Sequence, residues 1–536
     1  MIENKTTTVE PLSMRYLFRR GSLIVVHALM FFAIFLAVSC GSDGVEDDIP
    51  GDDDNHKPPV EDITPGAGID LYGLVVDDLG KPVPDVVVSD GFTCTVTDGK
   101  GVYQMKRDAA ARFVFYSTPA EFEIATSSST VKTASFYAPL TSIKRYDFKL
   151  KRLPAVETQF NLICIGDPQV TNVQEFNRFR DETISDIKKQ LQTTNRPTYA
   201  LALGDIVGDK PMLFDQMKVV LGSAGIPLFT TIGNHDKVAP SGSSEPRKAD
   251  DFTRVFGPLN YSFNRGNVHF VCLDNVVYSN ASSYGGGFTD SQIEWLKADL
   301  RHVPKSKMVI VYYHIPIRNS SGITNRTKML EALSGFAEVH LMAGHTHYTE
   351  NFSITSPVKA YEHIHGAACG SWWRSTLNGD GTPNGYAVYE INGAKFSNWY
   401  YKPVKLPHDF QIRLHRGDVT FGGQYGQYTF GQGANTIVAN VWNADSEWKV
   451  EAYEDGVNVG SLTKLSTSLK DAWTLGYHIG VLNRNPDNYS PASKHLYLHT
   501  RKNPGASLEI RATDRFGTVY KQSEIVSGYE TAASYQ

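Results

Sequence analysis

The sequence predicts an α/β core held between two β-rich domains. Residues 160–400 alternate strand-like apolar runs with helical patterns, whereas the stretches before and after them are short apolar runs cut by turn residues. Within the alternating region lie five short motifs rich in Asp, Asn and His, four of them at the ends of expected strands. The chain has 536 residues, 41% hydrophobic and 20% charged, enough for about three domains with a core each. Its 52 Lys plus Arg against 57 Asp plus Glu give a net charge of -5, which excludes a basic nucleic-acid binder, and no duplex binding is expected. Five cysteines in 536 residues exclude a disulfide scaffold.

Residues 23–38 form an apolar run interrupted only by His27, preceded by Arg15, Arg19 and Arg20 and followed by Ser39 and Cys40. This is a secretory signal pattern, shorter than the roughly 20 residues of a membrane-spanning helix. Counted from Met14 the charged and apolar regions take their usual proportions, which makes Met14 the expected start. Leu36-Ala37-Val38-Ser39-Cys40 resembles a bacterial lipobox, which implies that Cys40 is lipidated and becomes the mature N-terminus. Residues 1–40 are therefore expected to be a lipoprotein signal peptide. The expected location is the cell envelope, on the periplasmic or surface face of a bacterial outer membrane, with the lipid as the sole membrane contact. Residues 41–65 read as an acidic tether: from 41 to 64 nine acidic residues face Lys57 alone, with Pro50, Pro58 and Pro59 between them. So little apolar surface cannot drive folding.

Residues 66–153 carry apolar runs at 71–76, 86–88 and 102–103, separated by turn text such as Asp77-Asp78-Leu79-Gly80 and Thr97-Asp98-Gly99-Lys100-Gly101. Strands at this spacing predict a small β-sandwich, similar to the carboxypeptidase-regulatory-like module and without a catalytic cluster. In residues 154–403 strands are expected at 160–166, 199–204, 308–313 and 339–343. Val173, Phe176, Phe179, Ile184, Ile187 and Leu191 recur at helical spacing, and Thr289 with Gln292 forms a capping box ahead of Ile293, Leu296 and Leu300. Cys164 and Cys272 fall inside apolar strands and act as small hydrophobes, so no structural disulfide is expected. Over residues 404–536 the helical patterns stop and β-like runs return at 410–414, 436–442, 448–453, 495–499 and 508–512, which predicts a second β-domain.

The five motifs are Gly166-Asp167-Pro168-Gln169, Gly204-Asp205-Ile206-Val207-Gly208-Asp209, Gly233-Asn234-His235-Asp236, His314 in Tyr312-Tyr313-His314-Ile315-Pro316, and Gly344-His345-Thr346-His347. In an open α/β sheet the ends of consecutive strands converge on one crevice, so residues far apart in sequence can surround one site. Carboxylate, amide and imidazole donors with no thiolate suit a pair of divalent Mn, Fe or Zn ions. Taken singly, Asp167 reads as a helix cap, His314 as a core histidine and Asn234 as a turn residue; their recurrence in order after strands is what points to a metal site.

With these motifs residues 160–400 resemble the calcineurin-like metallophosphoesterase superfamily. Phe256-Gly257-Pro258, Tyr261-Ser262-Phe263, His408-Asp409-Phe410 and Ala512-Thr513-Asp514-Arg515-Phe516-Gly517 are similar to its bacterial subgroup with N-terminal and C-terminal β-domains around the core. The resemblance implies a four-layer α/β/β/α core with two β-sandwich-like flanks. It implies that Asp167, Gln169, Asp205 and His347 bind one metal, and that Asp205 bridges to a second held by Asn234, His314 and His345. It assigns His235 as the acid that protonates the leaving oxygen. The first motif departs from the usual text by carrying Gln169 where histidine is common. Gly208 stands where aspartate is common, which leaves Asp209 or Asp236 to orient His235.

Two divalent ions against the two carboxylates of Asp167 and Asp205 leave a cationic pocket, suited to hydrolysis of a phosphate monoester or diester by a metal-activated hydroxide. The expected substrate is a phosphorylated small molecule or a glycan- or nucleotide-type compound. Trp372, Trp373 and Arg374 are candidates for holding a phosphate and stacking a base or sugar, with core or interface packing as the alternative, which also applies to His363 and His365. Gly285-Gly286-Gly287 after Tyr284 reads as a mobile loop at the crevice rim. Two other functions stay open: hydrolysis of a pyrophosphate linkage, and a surface binding lipoprotein whose metal site is structural. An acid at His235 argues against the last, because a structural site has no use for it.

Overall fold

The computed structural model describes residues 62–318, 322–484 and 492–535. The expected signal peptide, Cys40 and the tether up to residue 61 lie outside the described residues. Among the described residues no helix is long and apolar enough to cross a membrane.

Two sheets stack at the centre. The first runs in the order Leu228–Thr231, Thr198–Leu203, Gln159–Ile165, Gly385–Asn392 and Lys395–Pro403; its first three strands are parallel and the last two form an antiparallel hairpin. The second runs Tyr261–Arg265, Val268–Cys272, Met308–Tyr312, Glu338–Ala343, Ala360–Ile364 and Glu350–Ile354, with four central parallel strands and antiparallel edges. Continuous apolar text such as Leu162–Ile165 and Met308–Tyr312 is what a strand covered on both faces requires. Alternate residues then serve different layers. Leu162 and Cys164 belong to the core shared with the second sheet, whereas Ile163 and Ile165 pack with Phe179, Ile187, Phe214 and Met217 of the covering helices. Phe229 and Phe263 stack between the sheets at 3.7 Å between centroids. Trp295 and Leu296 of Asp290–Leu300 and Met329 and Leu330 of Arg326–Ala332 close the fourth layer, so the order is α/β/β/α.

The expected capping box is present, with Gln292 N–H donating to Thr289 Oγ1 and the Gln292 side chain accepting from Thr289 N–H. The helix expected from Val173 is interrupted: Val173–Arg178 and Ser185–Leu191 are α-helical, the intervening Phe179–Ile184 is a π turn, and Val173 itself is exposed.

The N-terminal segment forms a three-stranded sheet around Leu71–Asp77 and a four-stranded sheet around Val87–Ser89 and Phe113–Tyr116. It is tied to the core by buried polar contacts. Trp295 Nε1 donates to Ser89 Oγ at 3.0 Å, and the fully buried Arg265 guanidinium donates to the carbonyls of Ala120 and Phe122. The C-terminal segment holds two four-stranded sheets centred on Thr436–Val441 and on Lys449–Glu454 with Leu508–Thr513. The expectation that helices end near residue 404 needs correction. Ala472–Leu475 is α-helical and Gly476–Val481 a π turn, started by Asp471, whose carboxylate accepts from Thr474 N–H at 2.8 Å. Cys94, Cys164, Cys272 and Cys369 are free thiols.

Candidate metal centre

All five motifs meet at the C-terminal ends of the parallel strands. The turns that bring them there are unusually tight: among the described residues, Asp167, Gln169, Asp205, Asp209, His345 and His347 are six of twelve non-glycine residues with positive φ. Each such conformation costs of order 1 kcal/mol or more and persists where the surroundings fix it, as at a functional site. Two of the motif glycines are required by close approach. A Cβ on Gly233 would overlap the Asp205 carboxylate, and one on Gly344 would lie 2.5 Å from Asp167 Oδ2.

The side chains form two overlapping groups, Asp167, Asp205 and His347, and Asp205, His314 and His345, with the ligand atoms of each group within 4.8 Å of one another. Asp205 is common to both. Asn234 Oδ1 lies 3.1 Å from His314 Nε2 and 2.9 Å from His345 Nδ1, and these two ring nitrogens are 3.3 Å apart. His314 Nε2 is 3.3 Å from Asp205 Oδ2. In the other group His347 Nε2 sits 3.3 Å from Asp167 Oδ1 in a geometry that makes no hydrogen bond, and Gln169 Oε1 is buried without a hydrogen-bond partner among the described residues. The unpartnered Gln169 Oε1 and His347 Nε2, with the Asn234, His314 and His345 atoms crowded around Asp205, fit a pair of bound cations: Asp167, Gln169, Asp205 and His347 surround one position, and Asp205, Asn234, His314 and His345 the other. Burial opposes charge on both Asp205 and His314, yet each holds the other ionised, lowering the carboxylate's pKa and raising the imidazole's. Burial and the neighbouring His314 push His345 down to about 3, which keeps that ring neutral with a lone pair available.

His235 stands beside this cluster. Its backbone N–H donates to Asp205 Oδ1 at 2.8 Å, and its Nδ1 lies 2.7 Å from Asp209 Oδ2. Arg247 donates from Nη1 to the other oxygen of Asp209 and to the Lys237 carbonyl. Burial opposes protonation of His235, but the Asp209 hydrogen bond raises its pKa; burial likewise opposes the Asp209 charge, and the hydrogen bonds from His235 and Arg247 overcome it. Asp209 is thus the carboxylate against His235. The alternative assignment to Asp236 is corrected. That carboxylate is fully buried and accepts the backbone N–H groups of Ile206, Val207 and Gly233 at 3.1, 3.0 and 2.9 Å, so it knits two motif loops together, whereas the hydrogen bond to the His235 ring is made by Asp209. Burial and the adjacent Asp205 push Asp236 up to about 7.

Of the expected substrate residues the structure brings both tryptophan rings to the cluster. The Trp372 ring lies 5.4 Å from that of His347 and 6.0 Å from that of His235. Trp373 is buried and stacked on His478 at 5.7 Å, against the C-terminal segment, with its ring also 6.2 Å from that of His347. The Arg374 guanidinium stays partly exposed and pairs at 3.8 Å with Glu175, which is bonded to Thr171. His363 packs among Tyr389, Phe396 and Trp399, and His365 bridges the Ala343 carbonyl and Tyr389 hydroxyl, so both are core residues. The glycine run is not an irregular loop: Tyr284–Gly286 pairs antiparallel with Val276–Tyr278, and Tyr284 borders His345 at 6.0 Å between rings. The residues that sequence reasoning missed are Arg247, in the polar stretch after the third motif, and Tyr278, whose hydroxyl donates to the Asn234 carbonyl.

A four-layer α/β/β/α sandwich that gathers such a cluster at its strand ends has the architecture of a metallophosphoesterase. Three family models match in sequence order: the N terminal of Calcineurin-like phosphoesterase over residues 70–153, Calcineurin-like phosphoesterase over 160–349, and the C terminal of Calcineurin-like phosphoesterase over 362–520. The chain belongs to the calcineurin-like phosphoesterase family, whose members are phosphoester hydrolases with a dinuclear divalent metal centre. It is 25% identical over 182 residues to a 3′,5′-cyclic-nucleotide phosphodiesterase of Nostoc sp., covering 31% of this chain and 62% of that one. It is 24% identical over 172 residues to a protein of Psychrobacter arcticus named "Probable cyclic nucleotide phosphodiesterase", covering 30% and 61%. The chain therefore spans about three fifths of the length of these curated relatives. A dimetal phosphatase from Danio rerio superposes over 46% of this chain and 96% of its own, with 16% identity and a TM-score of 0.33.

Proposed function

We propose that the protein is an exported, lipid-anchored hydrolase of phosphate diesters that uses two divalent ions. The observation that carries this reading is the sharing of Asp205 between two donor groups, with the His235–Asp209 pair held beside them by the Asp205 carboxylate itself. Two ions held there by Asp167, Gln169, Asp205, Asn234, His314, His345 and His347 would supply Lewis acidity towards the phosphoryl oxygens and lower the pKa of a water that gives its proton to solvent before in-line attack. The chain's own residues do the rest. As the water oxygen bonds to phosphorus and the bond to the leaving oxygen breaks, His235 gives that oxygen a proton from Nε2. Asp209 accepts the hydrogen bond from Nδ1–H and so fixes the ring, and Arg247 fixes Asp209. Likeness to the two cyclic-nucleotide phosphodiesterases supports a diester over a monoester.

Purified protein with added Mn is expected to turn over bis(p-nitrophenyl) phosphate faster than p-nitrophenyl phosphate, and a chelator is expected to stop both. Turnover of the monoester alone, or of nucleotide sugars in place of either, would overturn the diester assignment. Sequence text at residues 23–40 supports the anchor. In producing cells the activity is expected to sediment with membranes and to become soluble in Cys40→Ser; soluble activity in both would refute anchoring.

A further inference from the structure

We propose that Trp372 and Tyr284 form one ring-binding subsite at each metal position, so that the preferred substrate is an acyclic phosphodiester carrying a planar ring on both ester oxygens. This rests on the phosphodiesterase reading and specifies its substrate. Six of the chain's seven tryptophans are buried, and the seventh, Trp372, is 37% exposed with its ring against His347 and His235. Tyr284 is 40% exposed, and its ring meets that of His345 edge-on at 81°. Each donor group therefore has its own accessible aromatic neighbour.

Both rings are carried by segments pinned to the motif loops. Next to Trp372, the buried Ser371 donates from Oγ to the Pro168 carbonyl at 3.2 Å, in the loop between Asp167 and Gln169. Tyr284 stands directly across its ribbon from Tyr278, at 5.0 Å between rings. Tyr278 donates to the Asn234 carbonyl at 3.1 Å, and the Arg247 guanidinium lies 5.5 Å from its ring. Rings held this way are pre-organised for stacking and lose little freedom when a ligand ring settles on them.

The direction of bond cleavage assigns the two subsites. His235 protonates the leaving oxygen, so the leaving group departs beside Trp372. The group on the ester oxygen that is not cleaved then lies towards His345 and Tyr284. A monoester leaves Tyr284 unused, and a cyclic diester with a single ring system cannot fill both subsites.

The test uses two diesters with the same leaving group, bis(p-nitrophenyl) phosphate and methyl p-nitrophenyl phosphate, on the metal-loaded full chain. Tyr284→Ala is expected to raise KM for the bis ester by about 5- to 10-fold and to leave KM for the methyl ester unchanged, whereas Trp372→Ala raises KM for both by a similar factor. Tyr284→Phe and Trp372→Phe keep the ring and are expected to restore most of the affinity, with metal content equal in all four variants. Equal effects of Tyr284→Ala on both diesters, or an unchanged KM in Trp372→Ala, would overturn the two-subsite proposal and leave the phosphodiesterase reading standing. A wild-type chain that binds two ions and hydrolyses neither diester would instead refute the underlying reading, and the subsites with it.

Discussion

Asp205→Asn is expected to lose both tight metal binding and turnover while remaining folded. The substitution keeps an acceptor for the His235 N–H, which now bonds to Asp205 Oδ1, so the third motif loop retains its anchor. It removes the one carboxylate common to the two donor groups. Metal-ion catalysis contributes several kcal/mol of transition-state stabilisation, and each 1.36 kcal/mol is tenfold in rate, so a fall of roughly 10³-fold or more follows. Elemental analysis beside circular dichroism checks the prediction. A variant with two tightly held ions and near wild-type turnover would show that Asp205 does not bridge.

His235→Ala carries the second large effect, with a different signature. The imidazole belongs to neither donor group, so both ions are expected to stay. The rate on a diester with an alkoxide leaving group is expected to fall by about 10²- to 10⁴-fold, the usual contribution of a general acid. A nitrophenolate leaves with less help from a proton, so the loss on bis(p-nitrophenyl) phosphate is expected to be clearly smaller. Asp209→Asn should follow the same leaving-group pattern with a smaller amplitude, since it loosens the ring without removing it. Comparing rates on the two leaving groups settles the role: an equal loss on both would make His235 a structural residue.

What could be read in the sequence depended on how local its cause was. The metal-site motifs were legible because each is a strand end followed within a few residues by its ligands, and the capping box of Thr289 and Gln292 because its two hydrogen bonds span three residues. The choice between Asp209 and Asp236 was not legible. Asp236 adjoins His235 in sequence and Asp209 lies 26 residues away, and the deciding fact is that three backbone N–H groups, two from the second motif loop and one from Asp236's own loop, already occupy the Asp236 carboxylate. Arg247 reaches Asp209 across 38 residues of sequence and belongs to no motif. The helical segment from Ala472 reads as an apolar run with glycines. What turns it into a helix is the Asp471 cap together with burial of Trp473 beside Tyr477 and Phe421. Trp372 and Trp373 are adjacent and both rings reach His347, but burial separates them: Trp373 is also stacked on His478 of the C-terminal segment, whereas Trp372 stays partly exposed beside His235, a difference set by contacts distant in sequence.

The proposed two-ion mechanism requires that this cluster hold two divalent ions and that both be needed for phosphodiester hydrolysis. Its most direct test is to strip the purified chain of metal, add Mn stepwise, and follow bound metal and turnover of bis(p-nitrophenyl) phosphate together. Binding is expected to saturate at two ions per chain, with turnover appearing as the second site fills. Saturation at one ion with full activity, or activity that persists in the stripped chain, would contradict it.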